Sequence, residues 1–537
     1  MNIAVINTGG TISCVGTPLG PMSATAFASA CTTYINPILL QQFPNLNITY
    51  VKDLIFKEST SGTLDSTNLQ PTDWCLIAAY ILKNYTSYDG WVILHGTDSM
   101  DFTGTALPFL LSSFNAQGIP TAALSKPIII TGSQMPMFYQ APPGGTMPAP
   151  TPSGLLYNTD AFQNFCGAIA SAQTGIAEVC VYFQNQLYRG NRVLKTNASE
   201  FNAFSSPNYP ALGEYGVELD INIKNVLPPP VSYSVSLDNP TVLQNAIEQL
   251  TYITTNINAF PVMQLNAFPA WYTFAGYPTS TSPCSGIIAN LINACVAQGI
   301  KGLILESYGE GNFPSGNPDT PQDGATYQAL MAANNSGVII VDCTQVITGV
   351  VNNSAYAAGA WLPSVGALNP ADMTPMATFA KLMVLLTSAT YNQWTAQDVK
   401  YLLQLNLLGE MMDVNRMDSR GNTSLLSGQS LSTLDGSATL LNDPVLGPIL
   451  TDSNGTCLWA ALSNPQAEHM PGQLIMQNDG NLVYYSRYNS AMWATNTHVG
   501  SGAPSMLILN GSTSDNSLSL QVYNYATNTV STTLYSN

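Results

Sequence analysis

Hydroxyl, carboxylate and amine groups stand at the ends of apolar runs early in the chain. Thr8-Gly9-Gly10-Thr11 follows the run from Asn2 to Asn7, and His95-Gly96-Thr97-Asp98 follows Trp91-Val92-Ile93-Leu94. Lys195 comes shortly after Tyr188-Arg189-Gly190-Asn191-Arg192. A free hydroxyl is a poor nucleophile, and it attacks a carbonyl only when a neighbouring base takes its proton. A lysine near a threonine and a carboxylate can be that base if its surroundings favour the neutral amine. The glycines beside Thr11 let a backbone approach a ligand closely. Each stretch also has a plainer reading: a tight turn with capping threonines, a helix cap at Asp98, a surface lysine.

Other catalytic chemistries find little material. The three histidines are His95, His469 and His498, so only His95 could serve a Ser/His/Asp triad in this region. Nine cysteines are scattered without a CxxC pair. Neither a disulfide framework nor a zinc site is expected, and no cofactor or metal is assigned.

The elements that must position these groups alternate between strand and helix up to about residue 205. A third apolar run, Pro127-Ile128-Ile129-Ile130, leads into Thr131-Gly132-Ser133-Gln134. Continuous apolar runs predict a parallel sheet covered on both faces, and ligands of such sheets bind beyond the carboxyl ends of the strands. All three polar turns fall at that edge. A Pro/Gly-rich stretch around Ala141-Pro142-Pro143-Gly144-Gly145 reads as an inserted loop, and Leu227-Pro228-Pro229-Pro230 as a break. Beyond it, a helix over Gly286 to Ala297, strands at Gly302–Leu305 and Gly337–Val341, and a helix from Ala377 to Leu386 predict a smaller α/β domain. From about Asp418, short alternating strands between Asn, Asp, Gly and Ser turns predict an all-β module.

Composition narrows the partners. Charged residues make up 8% of the chain and hydrophobic ones 45%, with a net charge of −17. Nucleic acids and anionic lipids want basic clusters, which are absent, so neither is an expected partner. No apolar run reaches the roughly 18 residues of a membrane span. The start, Met1 to Asn7, has no basic region of a signal peptide, which predicts a cytoplasmic protein and leaves non-classical export open.

In the last region, Gln477, Asp479, Asn481, Val483 and Tyr485 are spaced by two. On one strand they would share a face: amide, carboxylate, amide and phenol, suited to sugar hydroxyls. An ordinary strand with a turn at Asp479-Gly480 is the plainer reading.

Residues 2 to about 412 resemble the bacterial-type L-asparaginases, most closely the cytoplasmic type I branch. Thr8–Ile12, Asp65-Ser66-Thr67, His95–Asp98, Thr131–Gln134, Leu187–Arg192, Ser307–Asn312, Ala371–Pro375 and Asn406–Glu410 carry the resemblance, in order. It implies a threonine-dependent amidohydrolase acting on asparagine or, failing that, glutamine. Thr11 matches the nucleophile, and Thr97 the second catalytic threonine with Lys195 and Asp98 as partners. Ser66 and Thr67 match the pair that holds the substrate α-carboxylate, and Asp98 would also receive the α-ammonium group. One departure stands out. The family's mobile loop after the first motif carries an activating tyrosine, whereas Ser13 to Ser23 has none, the first tyrosine being Tyr34. Weak turnover is therefore expected.

Gln477–Tyr485 matches the mannose-binding pattern of the bulb-type lectins at every position, with Leu426–Leu431 and Met492–Thr497 as supporting surroundings. That resemblance implies a three-fold β-prism and a mannose-type glycan as ligand. The other two repeats look degenerate, leaving one sugar site. The whole then reads as an α/β two-domain asparaginase-like fold followed by an all-β prism lectin domain. Its boundaries are 1–205 for the larger domain, 206–234 for a linker, 235–412 for the smaller domain and 418–537 for the lectin. A homotetramer or larger assembly is implied by resemblance. The competing reading is a catalytically silent asparaginase fold serving as a carbohydrate-binding scaffold.

Overall fold

The computed structural model describes residues 1–140, 152–274, 284–353, 355–421, 423–500, 502–525, 527 and 529–537. The stretch Ala141–Gly145, read as an inserted loop, lies outside them. The chain forms two compact units, one of residues 1–230, 234–403 and 407–411, the other of residues 231–233, 404–406 and 412–537.

The first unit is built on an eight-stranded sheet. Its strands are β1 (Asn2–Asn7), β2 (Asn47–Tyr50), β3 (Gly90–Leu94), β4 (Ile128–Thr131), β5 (Val179–Phe183), β6 (Gln186–Arg189), β7 (Gly213–Tyr215) and β8 (Leu219–Ile221), in the order β8-β7-β6-β5-β4-β3-β1-β2. The five from β2 to β5 run parallel, and β6 to β8 extend the sheet antiparallel. Successive side chains of β1 and β3 are all buried: Ile3, Ala4, Val5, Ile6, and Trp91, Val92, Ile93, Leu94. One face packs on helices Ala24–Tyr34 and Ala161–Ser171 through Phe27, Cys31, Phe165 and Ile169. Alternate residues have no solvent-facing side to occupy, which is why the runs read as uninterrupted apolar sequence.

The segment 206–234, expected to be a linker, instead supplies β7 and β8. Leu212 is buried in the core, and Tyr209, Tyr215, Ile221 and Val226 pack against it. Three-residue strands with mixed polarity give little periodic signal, and the burial that holds them is tertiary.

A second, four-stranded parallel sheet follows in the same unit: β9 (Val262–Asn266), β10 (Gly302–Ser307), β11 (Ile339–Thr344) and β12 (Ala367–Leu368), in chain order. Helices Ile287–Ala297 and Ala325–Asn335 share its core with Leu303, Leu305 and Ile340. Helix Pro375–Ser388 carries the fully buried Lys381, whose amine meets the equally buried Glu410 at 2.5 Å.

The second unit holds three four-stranded antiparallel sheets around one core. Each repeats one register. Leu440 faces Leu450, which faces Trp459; Leu474 faces Tyr484, which faces Trp493; Leu509 faces Leu520, which faces Tyr535. A bulge follows the central residue every time. The segment from Arg416 to Ser432 gives one strand to each sheet. Arg416–Asp418 pairs with Ser505–Asn510, Ser424–Leu425 with Gln473–Met476, and Ser430–Ser432 with Ala438–Asp443. Each of these strands buries one apolar side chain in the shared core: Met417, Leu425 and Leu431.

Candidate active site

Thr11 and Thr97 sit on turns that follow β1 and β3, neighbours in the sheet. The turns are tied together by their backbones. Thr8 N–H and its hydroxyl both donate to Leu94 O at 2.9 Å. Gly10 adopts φ +76°, and a Cβ there would overlap Gly96 Cα and N. Only glycine permits this approach, which brings the residues after each glycine, Thr11 and Thr97, side by side. Leu64 N–H donates to Thr8 O at 2.7 Å and Gly10 N–H to Leu64 O at 3.2 Å, so the Asp65-Ser66-Thr67 stretch is fastened to the first turn.

Lys195 arrives by another route. It ends the short strand Leu194–Lys195, just after Gly190-Asn191-Arg192. A Cβ on Gly104 of helix Met100–Leu110 would stand 2.7 Å from Gly190 O, so this segment lies hard against the helix that follows Thr97. The Lys195 amine reaches Thr97 Oγ1 at 2.8 Å and Asp98 Oδ1 at 2.6 Å. Thr97 is buried, whereas the Asp98 side chain is 54% exposed, so a ligand can still reach it. The Thr11 hydroxyl is half-buried and has no hydrogen-bond partner among the described residues.

Ser66 is buried and accepts Asp98 N–H at 3.2 Å, which leaves its own proton to give. Thr67 is exposed, and its hydroxyl donates to Asp65 Oδ1 at 2.9 Å. Three groups named from sequence therefore meet around Thr97 and Asp98: Lys195 and Ser66 directly, Thr11 through the glycine contact. Thr67 lies on the same turn as Ser66, with its proton committed to Asp65.

Asp101 and Asp160 are supporting residues that were not singled out, and His95 takes a supporting role rather than a catalytic one. Asp101 is buried, accepts Lys195 N–H at 3.4 Å and Phe102 N–H at 3.1 Å, and is pushed up to about 6 by burial. His95 is buried, and burial lowers it to about 4, so it is neutral. Its Nδ1–H donates to Gly96 O at 2.6 Å and its Nε2 accepts the Thr103 hydroxyl at 2.9 Å, which fixes the second turn and leaves no nitrogen for catalysis. Asp160 accepts Gln134 and Met135 N–H groups and so shapes the third turn. A carboxylate just inside a helix start reads as a cap, so spacing alone did not mark Asp101.

The segment after the first motif is a small hairpin, Cys14–Val15 paired with Gly20–Pro21. Val15 and Met22 are buried. Tyr34 ends the following helix, its ring against Phe138 and its hydroxyl donating to Pro152 O at 3.4 Å.

In the second unit the sugar motif departs from the expected single strand. Gln477 to Asn481 form the hairpin turn between Gln473–Met476 and Leu482–Tyr485. Gln477 N–H donates to Asn481 O, Gly480 N–H to Gln477 O, and Gly480 has φ +90°. Spacing by two suggests a strand only where the backbone stays extended, and Asp479-Gly480 turns it. The polar groups still converge. Gln477 Nε2 donates to the Tyr485 hydroxyl at 2.8 Å, and Asp479 Oδ1 accepts Asn481 N–H at 2.9 Å. Asn481 Oδ1 is held by Thr495 and Thr497. Asn481 Nδ2, Asp479 Oδ2, Gln477 Oε1 and the Tyr485 proton have no partner among the described residues, an array of two donors and two acceptors. Val483 is buried beside them.

Among the described residues, no group of three His, Cys, Asp or Glu side chains is placed to hold a metal, and no helix is long and apolar enough to cross a membrane. All nine cysteines are free.

Residues 2–143 and 153–227 match the family described as Asparaginase, N-terminal, and residues 283–399 the Glutaminase/Asparaginase C-terminal domain. The chain is 33% identical over 349 residues to L-asparaginase 1 of Escherichia coli (strain K12), covering 65% of this chain and 82% of that relative. It is 33% identical over 365 residues to a 60 kDa lysophospholipase of Homo sapiens, covering 67% of this chain and 51% of the other. Among solved structures, L-asparaginase I from Vibrio cholerae O1 biovar eltor str. N16961 is similar with a TM-score of 0.54 and 29% identity, over 76% of this chain and 99% of that one.

Proposed function

Since this chain belongs to the asparaginase family and is an amidohydrolase of that type, we propose that it hydrolyses the side-chain amide of asparagine, with Thr11 as nucleophile. The observation that carries the reading is the Lys195 amine bridging the Thr97 hydroxyl and the Asp98 carboxylate. The Thr11 oxygen attacks the amide carbon, its proton passes to the amide nitrogen, the C–N bond breaks, and ammonia leaves. An ester to Thr11 remains. Water then attacks the ester, passing its proton through Thr97 toward the Lys195–Asp98 pair, and aspartate departs. Ser66 and Thr67 hold the α-carboxylate and Asp98 the α-ammonium group. The Gly9 and Gly10 N–H groups are bonded to Asn7 Oδ1 and Leu64 O, so the oxyanion donors in this reading are the Thr11 and Thr97 N–H groups.

The Ser13–Ser23 hairpin offers Thr11 no phenol. Losing an activating group commonly costs about 10²–10⁴ in rate, so turnover should fall below that of relatives with the tyrosine. Ammonia release from asparagine and glutamine by the purified protein tests this. Slow hydrolysis, faster on asparagine and abolished in Lys195→Met, is expected. No release from either amide by the folded wild type would instead favour a carbohydrate-binding scaffold.

For the second unit the proposal is a β-prism lectin of the bulb type with one mannose site at Gln477, Asp479, Asn481, Val483 and Tyr485. The convergent donors and acceptors support it. Asp479→Ala should weaken retention on a mannose column by about 1–3 kcal/mol. Equal retention of both proteins would sink it. Assembly as a homotetramer or larger is proposed with it, in keeping with the exposed apolar side chains of Trp271, Ile287 and Leu291, and sedimentation would decide it.

A further inference from the structure

Helix Met100–Leu110 begins three residues after Thr97, and one face of it meets the segment that brings Lys195. Asp101 and Gly104, three apart, share that face. Gly104 lies against Gly190 with no room for a side chain. One turn back, the Asp101 carboxylate accepts the Lys195 backbone N–H through Oδ2 at 3.4 Å and the Phe102 N–H through Oδ1 at 3.1 Å. Asp101 is 4% exposed, so this contact is made away from water. The strand it holds is short: Leu194–Lys195 pairs with Phe204–Ser205, and Thr196 N–H donates to Ala203 O at 2.8 Å. Two carboxylates therefore act on one lysine, Asp98 at the amine and Asp101 at the backbone.

Other charges on the elements packed against this helix are committed elsewhere. Arg192 pairs with Asp372, Lys381 with Glu410, and Arg189 with Glu178. Asp73 accepts the Gln70 N–H, and Lys83 is exposed at the far end of helix Pro71–Lys83. The Cys75, Tyr80, Cys180 and Tyr182 groups are raised by burial and stay neutral, and His95 is lowered to about 4 by burial and is neutral too. The charge that acts on Asp101 is that of Lys195.

We propose that Asp101 is the positioning residue of Lys195: its buried carboxylate, by accepting the backbone N–H, fixes where the amine stands against Thr97, and protonation of that carboxylate loosens the hold and slows turnover. Burial pushes Asp101 up to about 6, against the pull of the Lys195 and Phe102 N–H groups. Above that value both oxygens are charged acceptors. Below it one oxygen carries a proton, and the neutral acceptor left is roughly half as strong. Turnover therefore falls as pH drops through about 6. This last step rests on the proposed role of Lys195; the hold itself does not.

The test uses the full-length protein with its lysines isotope-labelled at the backbone nitrogen for nuclear magnetic resonance. The chain has nine lysines, so the amide signals are few, and the one missing in Lys195→Met is that of Lys195. This signal should move with a midpoint at about pH 6 in wild type and stay still in Asp101→Asn, whose other lysine signals report that the fold is kept. A Lys195 signal that does not move through that range, or that moves equally in Asp101→Asn, overturns the hold. In the ammonia assay on asparagine, wild-type kcat should fall below about pH 6. Asp101→Asn imitates the protonated carboxyl. Its kcat should be about five- to ten-fold low at neutral pH, the difference between a charge-assisted and a neutral hydrogen bond, and flat through the same range. KM should stay within about two-fold, because Asp101 acts through Lys195 and not on substrate. An Asp101→Asn profile parallel to wild type, or a loss confined to KM, overturns the link to turnover and leaves the hold standing. If the wild type hydrolyses no amide, that link falls with the proposed activity, and the Lys195 signal still decides the hold.

Discussion

At Gly10 the backbone of one turn rests on Gly96 of the next, so the placement of Thr11 against Thr97 depends on two missing side chains. Gly10→Ala should separate the turns. A misplacement of about 1 Å commonly costs about 10²-fold in rate, so kcat on asparagine should fall by that order while circular dichroism stays unchanged. A Gly10→Ala enzyme with wild-type kcat would show that the two threonines do not act together. Thr97→Val, by contrast, keeps the shape and removes the hydroxyl between Lys195 and its target. It should lower kcat by about 10²–10⁴ with a smaller effect on KM. Thr11, Thr97, Asp98 and Lys195 were legible in the sequence because their types and flanking turns form recognisable motifs. The Asp65–Thr67 contact and the Asp101 hold on Lys195 were not. They depend on how a turn or a helix end is oriented, and short polar residues at such places read as caps.

Among the elements, β11 carries a carboxyl group that burial disturbs. Asp342 is fully buried, accepts the Ser307 hydroxyl and the Asn353 amide, and is pushed from 3.8 up to about 7. Its folded pKa lies above the unfolded one, so the folded chain holds the proton more tightly. Stability from this group is fully present below about 4 and is lost as pH rises to about 7, by at most about 1.4 kcal/mol per pH unit. Asp342→Asn should flatten that part of the Tm–pH curve relative to wild type; parallel curves would contradict the assignment. Lys381 and Glu410 make the opposite kind of element contact, a buried pair whose attraction holds the Glu410 carboxyl low. Lys381→Met strands the carboxylate and should cost about 3–5 kcal/mol by denaturant unfolding, with most of it recovered in Lys381→Met/Glu410→Leu. Long apolar strands such as β1, β3 and β4 were readable because burial on both faces leaves no polar interruption. The short strands β7 and β8 were not, and the Gln477–Asn481 turn was mistaken for a strand because alternation was taken as the whole signal. Gly480 at φ +90° bends the chain where alternation predicted a straight run.

For the whole molecule, the repeated register in residues 412–537 decides how many sites of the proposed kind it can hold. The hairpin that carries Gln477–Asn481 in one sheet is Asp443-Pro444-Val445-Leu446 in another, where Val445 is 63% exposed and the one carboxylate, Asp443, accepts the Val445 and Leu446 N–H groups. In the third the connection contains Ser512, Ser514, Asp515 and Ser517, whose side chains bond to one another. Calorimetric titration with methyl α-mannoside should therefore give one site per chain, and a stoichiometry of two or three would refute it. The three-sheet arrangement was expected from the resemblance, while the exchange of first strands has no signature in a linear pattern. That exchange sets an order of assembly during synthesis. The sheet that carries Gln477–Tyr485 takes its outlying strand from Ser424–Leu425 and has all its parts once Ala494 has been made. The sheet begun by Arg416–Asp418, the earliest of the three donors, must wait for Ser505–Asn510 and is not finished until Thr529–Ser536 has been added. Nascent chains halted between those points would carry the complete sheet of Gln477–Tyr485 over a core still lacking Leu509, Leu520 and Val522, with a long loop left to close before the first strand finds its neighbour.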